Sequence, residues 1–353
     1  MKRGIIYLLL LLAFGCDKDE KPEDVVLELS LQQIEMKYTK DASLVIVNTL
    51  SEWKVADDAE WIHLSAYEGD GKMGFIIGAD ENSSFSRKAV VTIQAEDKIQ
   101  KIAVVQSANP RKAISIGAET MLMVLVDSGT FSLGGRYTVG LSEFYISETE
   151  VTNAVWKLVM DTLPGQITEN RELPVSNVSW NAITNQFLPL LSQKTGTAVK
   201  LPTEAQWEFA ARGGKLSRNY LYSGSSSLDD VAWMYTNSGD RKHPVKRKLP
   251  NELGLYDMSG NLDEWCSDWY ADQYGVTTGS PADTLRNPKG PTIGTEKVIK
   301  GGNYSYGMFA FDNPFFTPQS RVSMLPNGYQ LAGDNITWVQ VSQRVGFRLV
   351  ISR

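Results

Sequence analysis

Histidine and cysteine are scarce in this chain of 353 residues: it has His63 and His243, Cys16 and Cys266, and no others. A zinc site takes three or four His, Cys or carboxylate ligands, and the two histidines stand far apart in the sequence. Two cysteines cannot build a zinc finger, an iron–sulfur cluster or a disulfide framework. Histidine general-base chemistry would rest on one of only two residues. An excess of positive charge is also missing. The 35 basic and 41 acidic residues leave a formal charge of −6, and a nucleic-acid binder needs a basic face to displace phosphate counterions. What remains is 42% hydrophobic, 10% aromatic and 22% charged, the proportions of a folded globular protein. The length is enough for two or three domains.

The N-terminus reads as an address. Lys2 and Arg3 precede an apolar run from Ile5 to Phe14, followed by Gly15 and Cys16. The run is too short to span a bilayer, so a cleaved signal peptide over 1–15 is expected. A cysteine directly after a small residue resembles the bacterial lipoprotein signal, in which the thiol is acylated; Cys16 is the candidate lipidation site. Residues 16–25 hold the acidic run DKDEKPED and read as a tether. This resembles the export tag of some surface lipoproteins, which implies an outer-membrane lipoprotein facing the cell surface. With Cys16 lipidated, Cys266 has no partner for a disulfide.

From 26 to 108 short β-branched stretches alternate with turn signals: LVIV (44–47), GFIIGA (74–79), AVVTIQA (89–95) and KIAVVQS (101–107). The spacing predicts an all-β sandwich. The order Trp53-x-Val55, W-I-x-L-S (61–65), G-x-G (69–71), N-x-S (82–84), R-x-A-x-V-T-I (87–93) and V-V-Q-S (104–107) resembles a BACON module. That resemblance implies an immunoglobulin-like unit, either a spacer or a carbohydrate binder. Trp53 and Trp61 are candidate core residues; sugar-stacking platforms would need them exposed. Asn109–Pro110 and the basic pair after it break the alternation, so 109–116 is expected to be a linker.

Residues 117–353 have few long periodic runs and much Gly, Asn, Ser and Trp. Three helices are predicted: one capped by Thr152, one over Asn181–Ser192, and one over Thr203–Arg212 opening with a T-E-A-Q capping box. The blocks F-Y-I-S-E-T-E-V-T-N (144–153), P-V-S-N-V-S-W-N-A (174–182), K-L-P-T-E-A-Q-W-E-F-A-A-R-G-G (200–214) and G-L-Y-D-M-S-G-N-L-D-E-W-C-S-D-W-Y (254–270) then come in order. N-P-K-G-P (287–291), V-I-K-G-G-N-Y (298–304) and R-V-G-F-R-L-V (344–350) complete the series. Together they resemble the formylglycine-generating, sulfatase-modifying factor family. The resemblance implies a C-type-lectin-like α+β fold with little regular secondary structure.

Fold does not settle activity. The family's enzymes oxidise a substrate cysteine with two thiols of their own, just upstream of the terminal G-F-R, which bind copper. Here that stretch, 319–343, contains no cysteine, so formylglycine generation and copper binding are not expected. Cys266, in a separate block, reads as a buried structural thiol. The related sulfoxide synthases need a histidine triad that two histidines cannot supply. The family also implies a structural calcium, held by the Asp257 side chain, the Gly260 and Leu262 carbonyls and Glu264, with Asp263 where members carry tryptophan. Two carboxylates and two carbonyls suit a hard cation; the alternative is that Glu264 pairs with an arginine.

The C-terminal stretch is rich in ligand-binding side chains, including Phe311, Phe315, Phe316 and Tyr329. Tyr304, Tyr306, Arg321 and Trp338 are the candidates for a shallow groove, with Ser323, Gln340 and Ser342 as polar neighbours. The alternative for these aromatics is core. The expected function is that of a non-catalytic cell-envelope lipoprotein binding a glycan or a protein ligand. A structural component of a surface assembly, or an enzyme using Asp312 or Asp334 in the same cleft, stand as alternatives.

Overall fold

In the computed structural model the described residues are 25–164, 170–274, 284–307, 310–332, 337–340 and 342–353; side chains at 310–312, 329–332, 337–340 and 342 are excluded. Cys16, Asp334 and the side chains of Asp312, Tyr329, Trp338, Gln340 and Ser342 thus lie outside what is described. The chain divides into two compact units, 1–81 with 87–106, and 82–86 with 107–353.

The first unit is built from nine strands. They are β1 (Glu28–Leu29), β2 (Gln33–Met36), β3 (Asp41–Asn48), β4 (Glu52–Asp57), β5 (Ile62–Leu64), β6 (Glu68–Asp70), β7 (Met73–Ala79), β8 (Arg87–Ala95) and β9 (Lys98–Gln106). Two sheets, ordered β1-β3-β7-β5 and β2-β9-β8-β4-β6, share one apolar core. Burial alternates residue by residue along β3, β4 and β9, as a sheet with one wet face requires.

The motif residues have physical duties. Trp53 is a fully buried core residue, 5.6 Å from Phe75, and its indole N–H donates to the Gly71 carbonyl. A Cβ at Gly69 would sit 2.3 Å from the Trp53 ring, so only glycine fits there. Gln106 is buried; its amide donates to the carbonyls of Lys37 and Asp80 and accepts from Arg87 Nε. Trp61 is half-buried beneath the Arg87 guanidinium, 4.4 Å from the ring centre. Neither tryptophan presents the open face a sugar platform needs.

The second unit begins earlier than the sequence suggests. Residues 109–116, expected to be a linker, instead supply β10 (Arg111–Ile116), which pairs along its whole length with β11 (Glu119–Val126). The physical reason lies in A-I-S-I: Ile114 and Ile116 are buried while Ala113 and Ser115 point outward. β12 (Gly129–Leu133), β13 (Tyr137–Leu141) and β14 (Phe144–Ser147) follow, then α1 (Asn153–Met160), α2 (Trp180–Ala182), a π-helical turn over Ile183–Phe187, α3 (Leu188–Thr195) and α4 (Glu204–Ala211). The remaining strands are β15 (Asp263–Trp269), β16 (Leu285–Arg286), β17 (Lys297–Lys300), β18 (Val322–Met324), β19 (Tyr329–Ala332), β20 (Thr337–Gln340), β21 (Val345–Gly346) and β22 (Val350–Ser352).

Helix starts fall where the caps predict. Thr152 Oγ1 accepts the Val155 N–H. Thr203 and Gln206 form the reciprocal capping box at 3.1 and 3.0 Å. The central sheet runs β18-β17-β15-β21, and a second runs β10-β11-β14-β22. The terminal block therefore returns to the start of the unit. Phe347 enters the core 5.2 Å from Phe187, which stacks on Trp156 at 4.9 Å. Among the described residues no helix is long and apolar enough to cross a membrane.

Candidate functional site

The glycine-rich loop before β15 is held in left-handed conformations at Asp257, Gly260 and Asn261, with φ of 56°, 82° and 62°. At Gly260 a Cβ would lie 2.5 Å from the Trp233 carbonyl oxygen, so the turn requires glycine. The loop delivers Glu264 to the centre of the unit, where it is fully buried. Its carboxylate accepts from Arg348 Nε at 2.6 Å, Arg348 Nη2 at 2.7 Å and the Trp207 indole N–H at 2.7 Å. Arg348, equally buried, also donates to the Ser147 and Tyr256 carbonyls. Two further carboxylates crowd this pair. Glu150 accepts from the Asn261 amide and the Leu262 N–H, and burial, with Asp257 and Glu264 nearby, holds it well above the usual carboxylate range. Asp257 accepts the Lys246 N–H through Oδ2 and is pushed up to about 6 by burial.

The expected calcium ligands therefore divide. Asp257 Oδ1 is buried with no hydrogen-bond partner among the described residues, an orphan acceptor that fits a hard cation. Glu264 does not fit: Arg348 and Trp207 already hold both its oxygens. Nor, among the described residues, do three His, Cys, Asp or Glu side chains converge into a metal cluster.

A second ionic network surrounds Arg321, an expected groove residue. Its guanidinium makes two bonds of 2.7 Å to the Glu204 carboxylate and one of 2.6 Å to the Ala271 carbonyl. It lies 4.7 and 3.8 Å from the Tyr270 and Tyr274 ring centres. Lys300, fully buried, approaches Glu204 at 3.7 Å and Glu208 at 3.4 Å. Tyr304 sits in a tight turn, its N–H donating to the Asn261 carbonyl, and Tyr306 lies 5.2 Å from Phe315. The described contacts give Arg321 and Tyr306 different neighbours, and the Trp338 side chain, the remaining wall of the expected groove, lies outside the described residues. Glu208 is also paired with Arg212, and Arg321 supplies the second cation beside Glu204. Ser323 donates to Glu296.

The sequence reading missed a cationic aromatic cluster. Lys297 Nζ lies 4.0 Å from the centre of Trp180 and 3.6 Å from that of Trp269, and donates to the Ser267 carbonyl. Burial lowers the ammonium to about 8, against the raising effect of Asp268, itself pushed up to about 7 by burial. Both tryptophans sit inside recognisable blocks, S-W-N-A and S-D-W-Y; the lysine carries no local signal. Cys266 is fully buried without a disulfide, and burial drives its thiol well above the usual range. A thiol in that state is protonated and a poor nucleophile or metal ligand.

Two family models match the sequence. The sulfatase-modifying factor enzyme 1-like domain covers residues 107–353, and the BACON model, described as a putative N-terminal binding domain, covers 51–107. The chain is 31% identical over 239 aligned positions to the chaperone protein LppX of Paenibacillus barcinonensis (52% of this chain, 83% of that one). It is 34% identical over 171 positions to the formylglycine-generating enzyme of Thermomonospora curvata (44% and 52%). It spans about half the length of the formylglycine-generating enzymes it matches. Among solved structures, Treponema denticola variable protein 1 superposes with a TM-score of 0.57 at 27% identity, covering 70% of this chain and all of that one. PvdO from Pseudomonas aeruginosa gives 0.53 at 20% identity over 69% and 99%, a likeness of fold alone.

Proposed function

The chain belongs to the sulfatase-modifying factor family, its domain preceded by a BACON module, and we propose that it is a non-catalytic, lipid-anchored cell-envelope protein that binds a protein ligand. The observation that carries this reading is the thiol count. The family's oxidation needs two thiolates on one soft metal. Here Cys16 belongs to the export signal, and Cys266 is buried and protonated. A relative named as a chaperone, matched over most of its length, favours a protein ligand over a glycan. In this reading the two units are immunoglobulin-like and C-type-lectin-like, and the BACON module acts as a spacer from the outer membrane.

The test is in-cell cross-linking of the full chain followed by mass spectrometry, alongside a glycan array with the purified protein. A stoichiometric protein partner and a blank array are expected. Saturable glycan binding without any cross-linked protein would overturn the choice of ligand class.

A further inference from the structure

The two sheets of the first unit share one core and so leave two outer faces. These faces differ in chemistry. That of the β2-β9-β8-β4-β6 sheet carries Glu35, Glu52, Lys54, Lys88, Gln94 and Lys101, as a wetted face should. The outer face of β3 and β7 instead carries Leu44, Ile46 and Ile76, which are 59%, 39% and 46% exposed. The three form one patch, since Leu44 stands opposite Ile76 and Ile46 opposite Gly74. A Cβ at Gly74 would meet Leu44 Cδ1 at 3.2 Å and Ile46 Cγ1 at 4.0 Å, so both side chains lean over the glycine. Of the outward positions on β1, β3 and β7, only Glu28 is charged. Contiguous apolar side chains on a wet sheet face mark a contact surface.

The start of the chain points to what covers it. β1 pairs with β3 through Glu28 opposite Asn48 and Leu29 opposite Val47. The residues before β1 therefore join the sheet beside the end of β3, where Val26 and Leu50 are also exposed. Cys16 stands ten positions before Val26, a span of at most about 35 Å. A lipid on Cys16 keeps this end of the sheet within that distance of the bilayer. We propose that the outer face of β3 and β7 lies on the bilayer that holds the anchor, with Leu44, Ile46 and Ile76 entering the headgroup boundary. The inference rests on the lipid-anchored reading. Lipid anchoring is firm when a second signal joins the acyl chain, and this patch supplies it. With Glu28 the one charge among those outward positions, the attachment is apolar and indifferent to salt.

The test uses the full chain, purified with its lipid and reconstituted in phosphatidylethanolamine–phosphatidylglycerol vesicles that contain nitroxide-labelled lipid. Leu44→Cys and, on the opposite face, Lys101→Cys each carry a nitrobenzoxadiazole fluorophore; Cys266 is fully buried and does not compete for the label. Emission from position 44 should fall by at least about half, because interfacial groups sit about 5–10 Å deep, both at low salt and at about 0.5 M NaCl. Emission from position 101 should be unchanged. Adding Ile46→Glu and Ile76→Glu should cut the loss at position 44 by at least about twofold. All of these positions are exposed, so melting midpoints near that of the parent chain show that the fold is kept. An unquenched label at position 44, the result if a second copy or another protein covers the face, overturns the docking, as does equal quenching at 44 and 101. Intact mass gives a separate readout. An unmodified Cys16 overturns the anchored reading and this inference with it, whereas a lipidated chain with position 44 unquenched overturns the docking alone.

Discussion

Replacing Arg348 with methionine keeps most of the side-chain volume and removes the charge. In the structure Arg348 makes two hydrogen bonds to Glu264 and one each to the Ser147 and Tyr256 carbonyls, all in the buried interior. Without it, Glu264 keeps the Trp207 indole N–H but loses its one ionic partner among the described residues, while Glu150 and Asp257 remain beside it. Breaking a buried pair by removing one partner costs about 3–5 kcal/mol, and the two orphaned carbonyls add to that. Against a typical total of about 5–15 kcal/mol, Arg348→Met should lower the urea midpoint of the full chain steeply. The double variant Glu264→Gln, Arg348→Met should recover part of the loss, giving a coupling of at least about 1 kcal/mol. If the single variant costs less than about 1 kcal/mol, or if the two changes simply add, Arg348 is not the counter-charge of this core.

The buried carboxylates set a pH dependence. Glu150, Asp257, Asp263 and Asp268 are all raised by burial, the last three to about 6, 7 and 7. The folded chain holds protons that the unfolded chain has released, so stability should fall as pH rises from about 4 to about 7; a higher melting midpoint at pH 8 than at pH 5 would refute this. Gly260→Ala should cost at least about 2 kcal/mol, from the left-handed backbone and the clash with Trp233, and a midpoint unchanged in thermal melting would show that the turn tolerates a Cβ. A calcium ion on the unpaired Asp257 Oδ1 should raise the melting midpoint relative to chelator, and Asp257→Asn should erase the difference; equal melting of the parent chain in both buffers removes the cation.

Local signals were legible and long-range pairings were not. The alternation in GFIIGA, AVVTIQA and KIAVVQS places β7, β8 and β9 within a few residues, because one face of each strand must be apolar. Thr152 and the Thr203–Gln206 box mark helix starts because a cap is a local hydrogen bond. The alternative that Glu264 pairs with an arginine holds, but the partner, Arg348, stands 84 residues away, and nothing near either one singles it out. Charge was also a poor guide at Arg321, which reads as a ligand-binding side chain until Glu204 is found opposite it. At 111–116 the basic pair Arg111–Lys112 hid a strand whose inward residues are the two isoleucines.

We propose that the sulfatase-modifying factor fold of this chain works without oxidase chemistry. The direct measurement incubates the full chain with copper(I), oxygen and a cysteine peptide of the sulfatase type, and follows the peptide by mass spectrometry. With one buried, protonated thiol among the described residues, the peptide cysteine should remain unconverted over hours, while an authentic formylglycine-generating enzyme converts it in parallel. Appearance of the aldehyde product in multiple turnovers, dependent on the protein and abolished by Cys266→Ser, would contradict the account.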